Sequence, residues 1–110
     1  PQPDEDEGGI DWLGLQYQGI TSGLRNMHGI PESTTGVLVS NVEPDSPLYD
    51  EGVRPGDIIS EVNGQDVESV DAFEARVAAA PSGSYLRFYV ERHNPRLPRP
   101  QYTFAVVRVP

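Results

Sequence analysis

At 110 residues the chain is long enough for one domain and too short for two. Seventeen acidic residues stand against eight arginines and no lysine, for a net charge of −9, which argues against a nucleic-acid surface or a polybasic grip on anionic lipid. The absence of cysteine removes disulfide scaffolds, cysteine zinc sites and thiol nucleophiles, and no apolar run approaches the ~20 residues that a membrane-spanning helix needs.

The sequence starts at Pro1 without a Met, and no charged segment leads into an apolar one. It is therefore expected to be a piece of a longer chain, with any secretory signal in the missing part. Residues 1–9 (PQPDEDEGG) have no large apolar side chain, and the consecutive acids Asp4 to Glu7 repel one another, so they read as a solvated linker before a folded unit over 10–110. From Trp12 to Ile20 the pattern alternates, with Leu15, Tyr17 and Gly19 set between Gln16 and Gln18, which predicts a strand. Thr21 or Ser22 can cap a short helix over Gly23 to His28, stopped by Gly29. Gly36 to Val42 is β-rich. Ser46-Pro47 starts one helical turn that Gly52 closes. Arg54-Pro55-Gly56-Asp57 has type II turn chemistry, Asp57 to Val62 is a strand, and Asn63-Gly64 turns it back through Gln65 to Val67.

The long helix is expected over Asp71 to Ala80. Asp71 and Glu74 form a capping pattern, Val70, Phe73 and Val77 share the core face, Glu74 and Ala78 point elsewhere, and Pro81 and Gly83 end it. Two more strands follow, Tyr85 to Arg92 and Tyr102 to Val109, separated by Pro95, Pro98 and Pro100. Five or six short strands with two or three helices predict an α+β, mostly β unit: a compact antiparallel sheet or partial barrel capped by the long helix.

Catalytic chemistry has little to stand on. The two histidines, His28 and His93, have no helical partner at i+4, and no G-x-S-x-G, Walker or dinucleotide fingerprint occurs. The nearest serine settings are Thr21-Ser22-Gly23 and Pro81-Ser82-Gly83. The chain is therefore read as a non-enzyme with no metal and no cofactor. The run from Pro95 to Pro100 superficially matches a PxxP ligand but, lying between two strands, reads as a rigid hairpin loop.

Trp12-Leu13-Gly14-Leu15 is more informative. A glycine between apolar residues lets successive amides turn toward one point, and such a nest takes an anion, commonly a carboxylate. This tetrapeptide is followed in order by the strand, GVLVSNV, EPDSP, EGVRPGDII, EVNG and a helix ending at Pro81 and Gly83. That order resembles the PDZ domains of bacterial-type HtrA/Deg (DegP-like) serine proteases over nearly the whole chain, Ile10 to Val109. The last strand takes the place that the N-terminal strand holds in animal PDZ domains, the circularly permuted order.

The resemblance implies a peptide-binding module in which Trp12, Leu13, Gly14 and Leu15 form the carboxylate loop. Leu15, Gln16, Tyr17, Gln18 and Gly19 would pair with the peptide, with Leu13, Leu15 and Tyr17 turned into the pocket for its last side chain. The helix would form the opposite wall through Ala72, Arg76, Ala79 and Ala80. Small alanines at 79 and 80 imply room for a large apolar C-terminal residue, and Arg76 implies a preference for an acidic residue in the ligand. The implied partners are C-termini of unfolded or signalling polypeptides and a protease domain upstream in the same chain, outside the cytoplasm. The role would be substrate recruitment or regulation. An alternative within the same fold is a structural docking or oligomerisation module whose groove stays empty or self-filled.

Overall fold

The computed structural model describes residues 10–93, 96 and 98–110. The linker expected over residues 1–9 lies outside them, as do Asn94, Pro95 and Leu97 of the proline-rich hairpin.

A single 3-10 turn, Asp11–Leu13, leads into β1 (Leu15–Gly19). Then follow α1 (Ser22–His28), β2 (Val37–Val42), α2 (Pro47–Asp50), β3 (Asp57–Val62), β4 (Gln65–Asp66), α3 (Val70–Ala78), β5 (Tyr85–Arg92) and β6 (Gln101–Arg108). The strands form one antiparallel sheet in the order β1-β2-β3-β5-β6, with β4 paired to β3. This is the mostly β, partial-barrel architecture that the residues predict.

Local chemistry sets the junctions. The Thr21 hydroxyl accepts from the Leu24 amide and caps α1, and Gly29 ends it at φ 68°. Ser46 caps α2 with Pro47 in the first turn. Asn63 and Gly64 both take positive φ, 52° and 80°, the requirement of a type I′ hairpin turn. The long helix corrects the expectation at both ends. Its cap is Ser69, whose hydroxyl accepts from the Ala72 amide, and not Asp71; the helix is finished by Ala78. Asp71 falls inside the first turn, where its charge favours the positive end of the helix.

The main core lies between α3 and the sheet: Phe73 and Val77 pack with Leu13, Val39, Leu48, Val62, Leu86 and Phe88. Ile30, Leu38 and Ile58 form a smaller cluster on which Leu24 of α1 packs. At the far edge, the Val106 amide of β6 donates to the Glu51 carboxylate at 3.0 Å. On the outer face of the β5–β6 hairpin, Tyr89 stacks on Tyr102 and leans on Phe104, with the Arg87 guanidinium 5.2 Å from the Phe104 ring centre.

The buried Asp57 closes the turn made by Arg54-Pro55-Gly56. Its carboxylate accepts from the Arg54 amide at 2.9 Å and from two guanidinium nitrogens of Arg92 at 2.7 and 2.9 Å. These bonds hold the Arg92 pKa above its ordinary value.

Candidate functional site

The segment Trp12 to Leu15 is a tight turn entering an edge strand. Leu13 and Gly14 donate their amides back to the carbonyls of Ile10 and Asp11 at 3.0 and 3.1 Å. Two amides of the expected carboxylate loop, those of Leu13 and Gly14, are thus engaged within the turn. Gly14 sits at φ 63°, and a Cβ there would approach the Ser46 Cβ to 2.9 Å, so both conformation and space call for glycine. Ser46 ties the turn to α2: its hydroxyl donates to the Leu13 carbonyl and accepts from the Leu48 amide. Leu13 is 1% exposed and belongs to the core rather than to a pocket wall, a correction to its expected place; Trp12 is half-buried against the same core.

β1 pairs with β2 on one side only; among the described residues no strand pairs with its other side. The Glu43 amide donates to the Gly14 carbonyl, flanking a Leu15–Val42 pair. In an antiparallel ladder that arrangement makes Leu15–Val42 the non-hydrogen-bonded pair, so the amide and carbonyl of Leu15 turn away from β2 toward the open side. A bulge between Gln16 and Tyr17 resets the register. Gln16, Gln18 and Gly19 are exposed, whereas Leu15 and Tyr17 are half-buried against the core.

The helix presents a different flank to β1 from the one expected. The Tyr17 hydroxyl donates to the Glu74 carboxylate at 2.6 Å, and its ring meets Phe73 edge-on at 5.0 Å. Burial raises the Tyr17 pKa well above its ordinary value, and the Glu74 hydrogen bond and negative charge add to the effect. Ala72, Arg76 and Ala79 lie instead on the flank facing the β3–β4 hairpin, where they line a hollow of about 400 Å³ with Val62, Asn63 and Gln65. Arg76 donates to the Asp66 carbonyl at 3.2 Å and to the Gln65 side chain. Ala80 lies beyond the helix end, half-buried against the core.

At about 100° per residue, positions 72, 76 and 79 form one stripe and 70 and 74 another. Which stripe faces β1 is decided by the insertion of Phe73 and Val77, a tertiary matter. Val70 and Glu74 were the groove-side residues to be found, and their i, i+4 spacing beside two buried positions was the available signal. Past the Tyr17–Glu74 contact the groove widens into a concavity of about 450 Å³ lined by Gln18, Gly19, Ile20, Arg25, Glu68 and Val70.

A turn with a left-handed glycine, a one-sided strand and a facing helix are thus assembled in one place. The sequence model of the PDZ domain family matches residues 12–97. The chain belongs to that family. Among curated relatives, a probable periplasmic DegP-like serine endoprotease of Halomonas elongata is 29% identical over 82 residues, 74% of this chain and 17% of the relative. Its counterpart in Brucella suis is 30% identical over 83 residues, 76% of this chain and 16% of the relative. This PDZ domain therefore spans about a sixth of the curated relatives it matches. It corresponds to the PDZ part of such proteases and not to the catalytic domain.

Two solved structures agree in fold. The HtrA-type protease AlgW with a decapeptide superposes with a TM-score of 0.67 at 27% identity, covering 90% of this chain and 29% of that one. The HtrA3 PDZ domain bound to a phage-derived ligand, FGRWV, gives 0.59 at 28% identity, covering 84% and 86%. The relatives' names place them in the periplasm, in agreement with the extracytoplasmic setting expected above.

Proposed function

We propose that this PDZ domain captures the C-terminal segment of a polypeptide, added as a strand along β1, on behalf of a serine protease domain in the same parent chain. The observation that carries the reading is the one-sided β1, with the Leu15 amide and carbonyl turned outward immediately after the Gly14 turn. Strand addition satisfies such an edge through main-chain bonds, which accept many sequences. The carboxylate would seat at Trp12 to Leu15, with the Leu15 amide as first donor and the Leu13 and Gly14 amides released from their turn bonds as the ligand enters. An apolar last side chain would sit against Leu15 and Tyr17 near Ala80. The solved neighbours, one with a decapeptide and one bound to the phage-derived FGRWV, support peptide capture. Recruiting substrates to the protease and switching its activity are both consistent with such capture.

The Tyr17–Glu74 bond across the groove favours a second reading, in which the domain docks neighbouring elements with its groove self-filled. Binding of a free-carboxylate peptide library and its amidated twins separates the two. Selection of apolar C-termini that amidation abolishes supports capture. No selection, or indifference to amidation, moves the assignment to docking or to internal segments.

A further inference from the structure

The groove flank of α3 carries a carboxylate, and its present occupant is a neutral hydroxyl. Glu74 accepts from the Tyr17 hydroxyl at 2.6 Å and is half-buried between strand and helix. Asp11, in the 3-10 turn, adds a second negative charge felt at that hydroxyl. Arg76, the basic residue of the helix, is directed away from this flank and held by Gln65 and Asp66 at the β3–β4 hairpin. A ligand strand on β1 must pass over the Tyr17–Glu74 contact, because Tyr17 is the central residue of that strand.

We infer that Glu74 selects a basic side chain, arginine or lysine, in the interior of the bound segment, and that the Tyr17 hydroxyl is the placeholder which this side chain displaces. The inference rests on the strand-addition reading above and names the class of ligand. It also reverses the charge preference that Arg76 implies in the sequence. Displacement is favoured because a ligand cation adds a charge–charge attraction to Glu74 that the neutral hydroxyl cannot offer, and a half-buried carboxylate is screened less than an exposed one. Tyr17 keeps its proton throughout the physiological range, so without ligand it remains a donor to Glu74. Released from that bond, its ring can still rest on Phe73, 5.0 Å away, and give the ligand an apolar floor.

The test is selection of free-carboxylate pentapeptides from a random library on the wild type, Glu74→Gln and Tyr17→Phe, followed by titration of the selected peptides. Glu74→Gln keeps shape and one acceptor, so the fold is retained. The expected result is enrichment of Arg or Lys at one interior position on the wild type, lost on Glu74→Gln. The affinity of the basic peptides should fall by about tenfold, the size of one charge-assisted hydrogen bond at a partly wet site. Tyr17→Phe should bind the same peptides several-fold more tightly, since nothing competes for the carboxylate. Basic enrichment that persists on Glu74→Gln, or selection of apolar C-termini with no basic preference, overturns the inference and leaves strand capture standing. If the wild type selects no peptide while remaining folded by circular dichroism, strand capture itself fails and the inference with it.

Discussion

The ion pair beneath the Arg54-Pro55-Gly56-Asp57 turn yields a prediction in which removing two residues costs less than removing one. Asp57 and Arg92 share two hydrogen bonds, but their side chains are 2% and 45% exposed respectively. In Asp57→Ala the guanidinium regains water easily, and the main loss is the acceptor for the Arg54 amide, about 2 kcal/mol for one orphaned backbone donor. In Arg92→Met the aliphatic cover stays and the charge goes. The Asp57 carboxylate is then left buried with the Arg54 amide as its remaining donor of these three, a situation that costs about 3–5 kcal/mol. Methionine is chosen over alanine because a hollow of about 540 Å³ adjoins the pair, lined by Asp57, Arg92, Gly52 and Thr103, and a truncated side chain would admit water from it.

The double variant Asp57→Ala/Arg92→Met holds no buried charge and should recover part of the loss of Arg92→Met alone. Domains of this size carry about 5–15 kcal/mol of stability, so all three variants should fold and can be compared by urea unfolding at neutral pH. A double variant at least as destabilised as Arg92→Met alone would falsify the argument, because it would mean that the buried charge carries no penalty of its own.

Ser46→Ala should cost on the order of 2–3 kcal/mol, from about 1 for the lost α2 cap and the rest for the orphaned Leu13 carbonyl; a change below half a unit in urea unfolding would show that water replaces the hydroxyl. Gly36→Ala places a Cβ 2.3 Å from the Ile59 carbonyl oxygen at φ 143°, a backbone clash with no side chain to yield, and should cost more than about 3 kcal/mol; a melting temperature close to wild type would contradict the strand geometry there. Because the Tyr17 pKa is raised in the fold, the native state keeps a proton that the unfolded chain has lost above the ordinary value of 10.0. Its contribution to stability is therefore full below about pH 10 and declines as pH rises beyond it. Tyr17→Phe should lessen the alkaline loss of stability relative to wild type, and parallel pH profiles would show that the hydroxyl is not coupled to folding.

Features decided by neighbours in the chain were legible from residue types. Ser46-Pro47 starts α2, Gly29 stops α1, and Asn63-Gly64 turns the β3–β4 hairpin, because each is a backbone requirement met by the residues on the spot. The turn before β1 was legible as a loop, but not the bonds that engage its amides. The cap of α3 was missed because Ser69 and Asp71 are both good cap residues two positions apart, and the choice between them depends on where the chain arrives from β4. The groove-side flank was missed for a related reason: Tyr17 and Glu74 lie 57 positions apart, and no local pattern says which helical stripe a distant strand will meet. Arg76 looked like the groove's charge because it is the basic residue of the helix, while its partners, Gln65 and Asp66, are again brought to it by tertiary packing.

The contact between Glu51 and the Val106 amide bears on how many chains one domain can hold. A sheet with two receptive sides can link copies end to end into a fibre. Here α2 and its terminal carboxylate sit against β6 and occupy one of its outward amides, while at β1 no described strand pairs with the open side. That contact interrupts strand pairing at one point of the β6 edge, so if β1 takes a guest strand as proposed, a second strand meets an obstacle at β6 that the first does not meet at β1.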